Sequence, residues 1–447
     1  MSPYPLEGPR TARRSSIGLA GTAWHSLLWL TVANALGVLI ASLLLFPSLN
    51  RLLGEWTYGR WVIVHMNLEL YGWGSLPMAG FLFRVYGADT NSLAKWCRPV
   101  LWVWSASLCA GALSWLSGHS SGKLFLDWTG YARILFPLAL AALWLLLLLS
   151  LLRAWNTPAN AKLSTRSMKL IGLALLLAVP VIVYMAASPT LYPAINPDTG
   201  GPTGASQLES SLVIAAILLL LPYGLTRRNA TPRWPVTAAW LLLAAESLLC
   251  LSLGRADISH HQPVQYISLG SLLIWLPLTP AYYAAFEWHA VTRRWRIAFL
   301  CWWSLLVPTG WCLFLPGVLD HFKFTDGLVG HSLLAMAGFV SSLSIFVMVQ
   351  LLGEDGWIFS RTWSFYSWNG SVLAYVLLMF AAGWREGFDP AFTIVPSTAR
   401  GLIYILRLLA GLLMLASSLE WLIAATSLVR EQESVPIQAA LVEEKIA

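Results

Sequence analysis

The chain has 447 residues, of which 57% are hydrophobic and 11% are charged, and its formal net charge is +7. A soluble enzyme of this length would need far more charged surface, so the composition indicates a polytopic membrane protein. The positive charge is interpreted as a sign of membrane topology, and no nucleic-acid partner is expected.

Twelve apolar stretches approach or exceed the roughly 20 residues that a helix needs to cross the hydrocarbon layer. They are 27–47, 61–86, 99–118, 130–153, 168–188, 209–225, 234–254, 264–288, 296–317, 327–352, 366–384 and 399–428. The sequence therefore predicts an all-α integral membrane protein of twelve transmembrane helices. It divides into an N-terminal segment at 1–26, a membrane domain at 27–428 and a C-terminal tail at 429–447.

The positions of the basic residues predict the orientation of these helices. Most of the 28 lysine and arginine residues lie in the N-terminal segment, in the loops after even-numbered stretches and in the C-terminal tail. Because basic residues accumulate on the cytoplasmic side, both termini are predicted to be cytoplasmic. We expect a multi-pass protein of the bacterial-type inner (plasma) membrane.

Two of the eight histidines lie inside predicted helices. His65, in WVIVHMNLELYGWG, and His331, in GLVGHSLLAMAGF, each come about five residues into a helix that enters from the outer face. They are predicted to lie at nearly the same depth, roughly 6–8 Å below the outer boundary. His25 and His289 are predicted at inner helix ends, where amphipathic side chains reach the interface.

Two imidazoles at one depth are what the axial ligation of membrane haem requires. Ionisable side chains are costly inside a bilayer and usually functional. An imidazole nitrogen coordinates iron from a rigid helix, while apolar side chains enclose the macrocycle. The alternative is a pair of histidines that only form interhelical hydrogen bonds. Glu69, one turn below His65, either orients that ring by a hydrogen bond or pairs with another helix.

Four stretches resemble subunit I of the cbb-type haem–copper oxidases. EWTYGRWVIVHMNLELYGWGS (55–75) resembles its second helix, and GHSSGKLFLDWTGYARILFP (118–137) resembles the outer loop that follows. HFKFTDGLVGHSLLAMAGF (321–339) resembles its tenth helix, and ARGLIYILRLLAGLLMLASSLEWL (399–422) its last. The resemblance runs from about residue 25 to 428 and agrees with the predicted spans and their orientation.

The resemblance implies a haem–copper-oxidase fold, one or two b-type haems, and a role in respiratory electron transport and oxygen reduction. His65 matches the axial ligand of the low-spin haem, and His331 matches the proximal ligand of the high-spin haem. Arg407 partners haem propionates, contributes to the packing of the last helix, or snorkels to the outer interface. The family receives electrons through c-type cytochromes, so such subunits or other membrane respiratory subunits are the expected partners, along with membrane lipid.

The chain departs from the family at several metal ligands. In place of the family's His-x-His on the tenth helix, the second position is Leu333, which cannot bind the low-spin haem. The copper-binding histidine of the sixth helix is missing, and the family's His-His pair would fall at 252–253. His260 and His261, further along, are either a displaced copper pair or loop residues. Thr309 stands where the family has a glutamate.

These departures leave several functions open. The first is the catalytic subunit of a cbb-type cytochrome c oxidase, with copper retained. The second is a divergent subunit without that copper, which binds one haem or none and serves electron transfer, gas binding or complex assembly. The third is a transporter, although no inverted repeat or pair of broken helices stands out in the sequence. Whether the chain is an enzyme stays open at this point.

Overall fold

The computed structural model of the chain describes residues 15–123, 125–195, 207–253 and 261–446. Within these ranges the regular structure is helical, apart from one isolated β-bridge between Arg228 and Phe286. The long helical segments are α1 (Ile17–Leu45), α2 (Tyr58–Asn67), α3 (Leu76–Tyr86), α4 (Ala94–Leu116), α5 (Ala132–Arg153), α6 (Leu163–Ala186), α7 (Leu208–Leu225), α8 (Trp234–Leu253), α9 (Pro263–Ala284), α10 (Ala290–Leu313), α11 (Asp326–Phe359), α12 (Thr362–Phe388) and α13 (Thr398–Ile446). Short helices lie at Pro47–Leu49, Asn50–Leu53, Pro158–Asn160 and Val318–Phe322.

Eleven of these helices are long and apolar enough to cross a membrane, which confirms an all-α membrane protein. They coincide with eleven of the twelve predicted stretches. The remaining stretch, 61–86, is helical but divided, because a π-helical segment at Leu68–Gly74 separates α2 from α3. The described residues thus contain eleven membrane-length helices and a shorter pair, α2 and α3, joined by a π-helical segment.

The first and last helices are longer than predicted. α1 begins at Ile17 rather than at residue 27, and its N-terminus is capped by Ser16, whose Oγ accepts a hydrogen bond from the Leu19 amide at 3.3 Å. α13 continues through the predicted tail as far as Ile446. An ion pair of 2.7 Å between Arg98 and Glu433 holds the start of this extension against α4.

His25 lies inside α1 and is buried, so its prediction as an interfacial residue was wrong. Its Nδ1 is 2.8 Å from the Oγ of Ser105 on α4, and its ring packs edge-on against Trp24 and Trp102. The eight residues before it, IGLAGTAW (17–24), include five that are small or weakly polar, namely two glycines, two alanines and a threonine. Hydropathy therefore placed the start of the helix too late.

α11 is the helix most enclosed by its neighbours. In its apolar stretch 72% of the residues are buried, compared with 17% in α6 and α8. The sequence LLAMAGFVSSLSIFVMV (333–349) is apolar or small on all sides, as expected of a helix surrounded by protein. Helices α3, α10 and α12 pack against it. Gly338 allows the close approach of α10, because a Cβ there would lie 2.7 Å from the Trp302 ring.

Five helices form a ring around one part of the bundle, and its first and last members, α2 and α11, meet only near its base. α2 packs on α1, α1 on α13, α13 on α12, and α12 on α11. The π-helical segment after α2 meets the one within α11, at Leu334–Val340, and this contact closes the ring at its base. The opposite end, where α2, α11 and α13 begin, carries Tyr58, Tyr375 and Tyr404 and is named here the tyrosine end.

Candidate cofactor site

The five-helix ring encloses a cavity of about 410 Å³. This volume lies within the range of about 300–1,000 Å³ that is usual for small-molecule and cofactor sites. Most of its exposed wall surface is apolar, although tyrosines and charged side chains also line it. His65 and Glu69 reach it from α2, Leu333 and Met336 from α11, and Arg407 from α13. The structure thus gathers three of the predicted site residues, His65, Glu69 and Arg407, around one space.

The His65 ring is held in one orientation by the backbone of α1. Its Nδ1 is 2.8 Å from the carbonyl oxygen of Ala33. A carbonyl only accepts hydrogen bonds, so Nδ1 donates, and the lone pair of a neutral imidazole is then on Nε2. Gly37, one turn along α1, leaves room for the ring, since a Cβ there would lie 3.2 Å from His65 Cε1. A carbonyl bonded to one ring nitrogen is the usual support of a metal-binding histidine.

Glu69 lies at the other ring nitrogen. Its Oε1 is 3.7 Å from His65 Nε2, and both side chains are partly buried. The hydrogen bond that orients the imidazole therefore comes from Ala33 rather than from Glu69. The glutamate instead places a carboxylate close to the nitrogen that a metal would use, where it influences the charge of the site.

A buried ion pair closes the cavity at the tyrosine end. Arg407 Nη1 lies 3.0 Å from Asp326 Oδ2, and Arg407 Nε donates to the Tyr375 hydroxyl at 3.2 Å. The guanidinium also lies 5.7 Å from the ring centres of Tyr375 and Tyr404. Because Arg407 is only 7% exposed, it is a buried paired charge rather than a side chain that reaches the interface. The buried Arg407 guanidinium needs the Asp326 carboxylate beside it, because removing a charge from water is costly.

The Thr-Asp pair before His331 forms the start of α11. The Thr325 Oγ1 accepts a hydrogen bond from the Gly327 amide at 3.1 Å, which caps the helix. The Asp326 amide donates to Glu386 Oε2 at 2.6 Å, and the Asp326 carboxylate gains from the positive end of the helix dipole. This geometry fixes the carboxylate that pairs with Arg407. Sequence reasoning missed Asp326 as a site residue, although its position in the first helical turn pointed to it.

His331 lies on the other side of α11. Residues two apart on a helix are about 200° apart, so when Leu333 faces the cavity, His331 faces α10. There its Nδ1 is 3.5 Å from the Thr309 Oγ1, and a Cβ on Gly310 would lie 3.3 Å from its Cε1. It is not among the residues that line the cavity. The two predicted imidazoles therefore lie on opposite sides of α11, with His65 of α2 at the cavity and His331 of α11 toward α10.

The candidate copper pair is only partly within the described residues. His260 lies outside them. His261 is exposed in the turn before α9, and its Nε2 is 3.1 Å from both carboxylate oxygens of Asp320. Across the described ranges, no group of three or more His, Cys, Asp or Glu residues is close enough to hold a metal ion. His261 thus has the surroundings of a loop histidine.

His65 and His331 are each followed by a π-helical segment. Leu68–Gly74 follows His65, and Leu334–Val340 follows His331. In both, a serine hydroxyl binds a carbonyl five residues back: Ser75 Oγ donates to Leu70 at 2.8 Å, and Ser341 Oγ to Met336 at 2.9 Å. Trp73 Nε1 donates to Ser341 Oγ at 2.8 Å and joins the two segments. Isolated π turns are frequent at functional sites, and these two form the base of the cavity.

No protein-family model matches this chain, and no curated protein matches it. The functional conclusion therefore depends on the chemistry of the site itself.

Proposed function

We propose that this chain is a membrane haem protein with a haem–copper-oxidase-like fold of twelve crossings, in which His65 binds the iron of a b-type haem inside the cavity. The observation that carries the proposal is the His65 ring, which lines the cavity and has its Nδ1 2.8 Å from the Ala33 carbonyl oxygen. In this proposal α2 and α3, with the π-helical segment between them, make the twelfth crossing.

The surroundings of His65 suit a haem in two further respects. The wall residues from α1 and α11, such as Ile40, Ala41 and Leu333, are aliphatic and would exclude water from the macrocycle. At the tyrosine end, Arg407 and Tyr375 supply donors for the carboxylates of a haem. A bound haem supplies one-electron transfer. The residues of this chain would set its orientation and potential.

The surroundings of His331 on α11 favour electron transfer over oxygen reduction. Oxygen reduction in the resembling family needs a second haem at the position of His331 and a copper ion. His331 instead lies against Thr309 and Gly310 of α10, neither of which offers a nitrogen, sulfur or carboxylate ligand. In this proposal the tyrosine end faces the periplasm, both termini are cytoplasmic, and c-type cytochrome or other respiratory subunits exchange electrons at the tyrosine end.

The test is the optical spectrum and metal content of protein purified in detergent. We expect a reduced-minus-oxidised spectrum of b-type haem with one iron per chain. His65→Ala should lose the haem, whereas His25→Ala, which removes a buried histidine outside the cavity, should retain it. A colourless, iron-free wild type would overturn the proposal. Copper near one per chain would replace it with the oxidase.

A further inference from the structure

The cavity that His65 lines contains methionine thioethers, whereas the resembling family has a second imidazole. Leu333 faces the cavity but has no donor atom, whereas Met66, Met336 and Met414 also line it. Resting on the proposed function, we propose that the Met336 Sδ is the second axial ligand of the haem iron at His65. The chain would then hold a low-spin haem by one histidine and one methionine, which is a ligand pair that haem proteins use to raise the reduction potential.

The position of Met336 on α11 places its sulfur on the same side as Leu333. The two residues are three apart, so they lie on one face of the helix, with Met336 about 4.5 Å further from the N-terminus. Helical side chains lean back toward the N-terminus. α11 begins at Asp326, at the tyrosine end, so the Met336 side chain leans toward the level of Leu333. An unbranched thioether with three rotatable bonds can make this adjustment.

The π-helical segment holds the backbone of Met336 in place. Met336 lies within Leu334–Val340, and its carbonyl accepts a hydrogen bond from Ser341 Oγ at 2.9 Å. Ser341 in turn accepts from Trp73 Nε1 at 2.8 Å, which ties this turn to the segment that follows His65. The backbones that carry the two ligands are thereby linked directly below the cavity.

The place of Met336 in the fold distinguishes it from the other donors that line the cavity. Met66 and Glu69 lie on the same stretch of helix as His65, so neither can approach from the opposite side. Met414 belongs to α13, which packs on α1, the helix whose Ala33 and Gly37 hold the His65 ring. Met336 lies on α11, whose π-helical segment meets the one that follows His65 at the base of the cavity.

Spectroscopy of matched methionine variants tests the assignment. In oxidised wild type we expect the near-infrared charge-transfer band of thioether-ligated haem, and no carbon monoxide binding to the reduced form. Met336→Leu, which nearly preserves side-chain volume, should lose the band and bind carbon monoxide. Met414→Leu should behave as wild type. Leu333→His in the Met336→Leu background should restore a low-spin spectrum of the bis-histidine type.

The outcomes separate this inference from the proposed function. A wild type without haem overturns both. A wild type that contains haem but lacks the band overturns the Met336 assignment alone. A band that survives in Met336→Leu, or that disappears in Met414→Leu, also overturns it.

Discussion

His65 and His331 share two local features but differ in their surroundings. Each ring lies against a glycine of a neighbouring helix, His65 against Gly37 and His331 against Gly310. Each is followed by a π-helical segment. The Nδ1 of His65, however, is 2.8 Å from a carbonyl oxygen, and the residue lines the cavity. The Nδ1 of His331 is 3.5 Å from the hydroxyl of Thr309, and the ring lies outside that cavity.

The difference shows what a histidine needs beyond its place in a helix. A metal-binding imidazole requires a fixed tautomer and free space at the other nitrogen. His65 has a fixed tautomer because α1 supplies the carbonyl, and it lines the cavity that the ring of five helices encloses. His331 has a position that the resemblance associates with a ligand, yet its contact with the Thr309 hydroxyl does not fix a tautomer, and the residue does not line this cavity. The proposal therefore assigns haem to His65 alone.

The largest expected difference between the His65 side and the His331 side of α11 is in haem content. His65→Ala should lower the haem bound per chain to near zero, while His331→Ala should leave it unchanged because its ring does not line the cavity. Haem and protein are quantified after purification of both variants in the same detergent. If His331→Ala lowers the ratio as much as His65→Ala, or from two haems to one, the assignment of haem to a single face is wrong.

The buried ion pair at the tyrosine end should dominate the stability of the cavity. Arg407→Met leaves the Asp326 carboxylate buried without its partner, which is expected to lower stability by about 3–5 kcal/mol. Arg98→Met is the matched control, because the Arg98–Glu433 pair is more than two-fifths exposed on both sides and should cost less than about 1 kcal/mol. Thermal unfolding in detergent measures both.

A double variant distinguishes the lost charge partner from lost packing. Asp326→Asn combined with Arg407→Met removes both charges, so it should recover part of the stability lost in Arg407→Met. Equal melting temperatures for the single and double variants would show that Asp326 tolerates isolation, contrary to this account.

Much of the fold could be predicted because membrane helices are specified locally. About 20 apolar residues mark each crossing, so eleven predicted stretches coincide with helices. The opposite orientations of His331 and Leu333 also follow from helical spacing. The early start of α1 was missed, since small and weakly polar residues such as Gly18 and Thr22 lower the apparent hydropathy of a segment that is nevertheless buried.

The cavity could not be predicted, because it arises from contacts between distant segments. The pairing of Asp326 with Arg407 joins residues 81 positions apart, and the support of His65 comes from the Ala33 backbone, which carries no side-chain pattern. The π-helical segments depend on tertiary packing as well. Gly37, the third glycine of α1, was a local sign of close packing at this place.

Substitutions at Gly37 and Gly310 allow His65 and His331 to be compared without removing either histidine. Gly37→Ala should push the His65 ring, because the added Cβ would lie 3.2 Å from Cε1, and should reduce haem occupancy. Gly310→Ala crowds His331 to a similar degree, at 3.3 Å, and should leave haem occupancy unchanged. Each overpacked variant is expected to lose about 1–3 kcal/mol of stability.

Gly370→Ala serves as the control for the glycine series. No atom lies within 4 Å of an added Cβ at this exposed position of α12, so alanine should raise helix stability by up to about 1 kcal/mol. Haem titration of detergent-solubilised protein and thermal unfolding measure the set. A loss of haem affinity in Gly310→Ala as large as in Gly37→Ala would contradict the separation of the two faces.

The smallest expected effect concerns the charge of Glu69. Its carboxylate lies 3.7 Å from His65 Nε2, so it would favour the oxidised haem, which carries the extra positive charge. Glu69→Gln keeps the size and removes the charge, and should raise the midpoint potential by tens of mV, where about 59 mV corresponds to a tenfold change for one electron. Redox titration of the visible spectrum measures the shift. A lower potential, or loss of the haem, would indicate that Glu69 instead orients the His65 ring, and the fixed tautomer would then not depend on Ala33 alone.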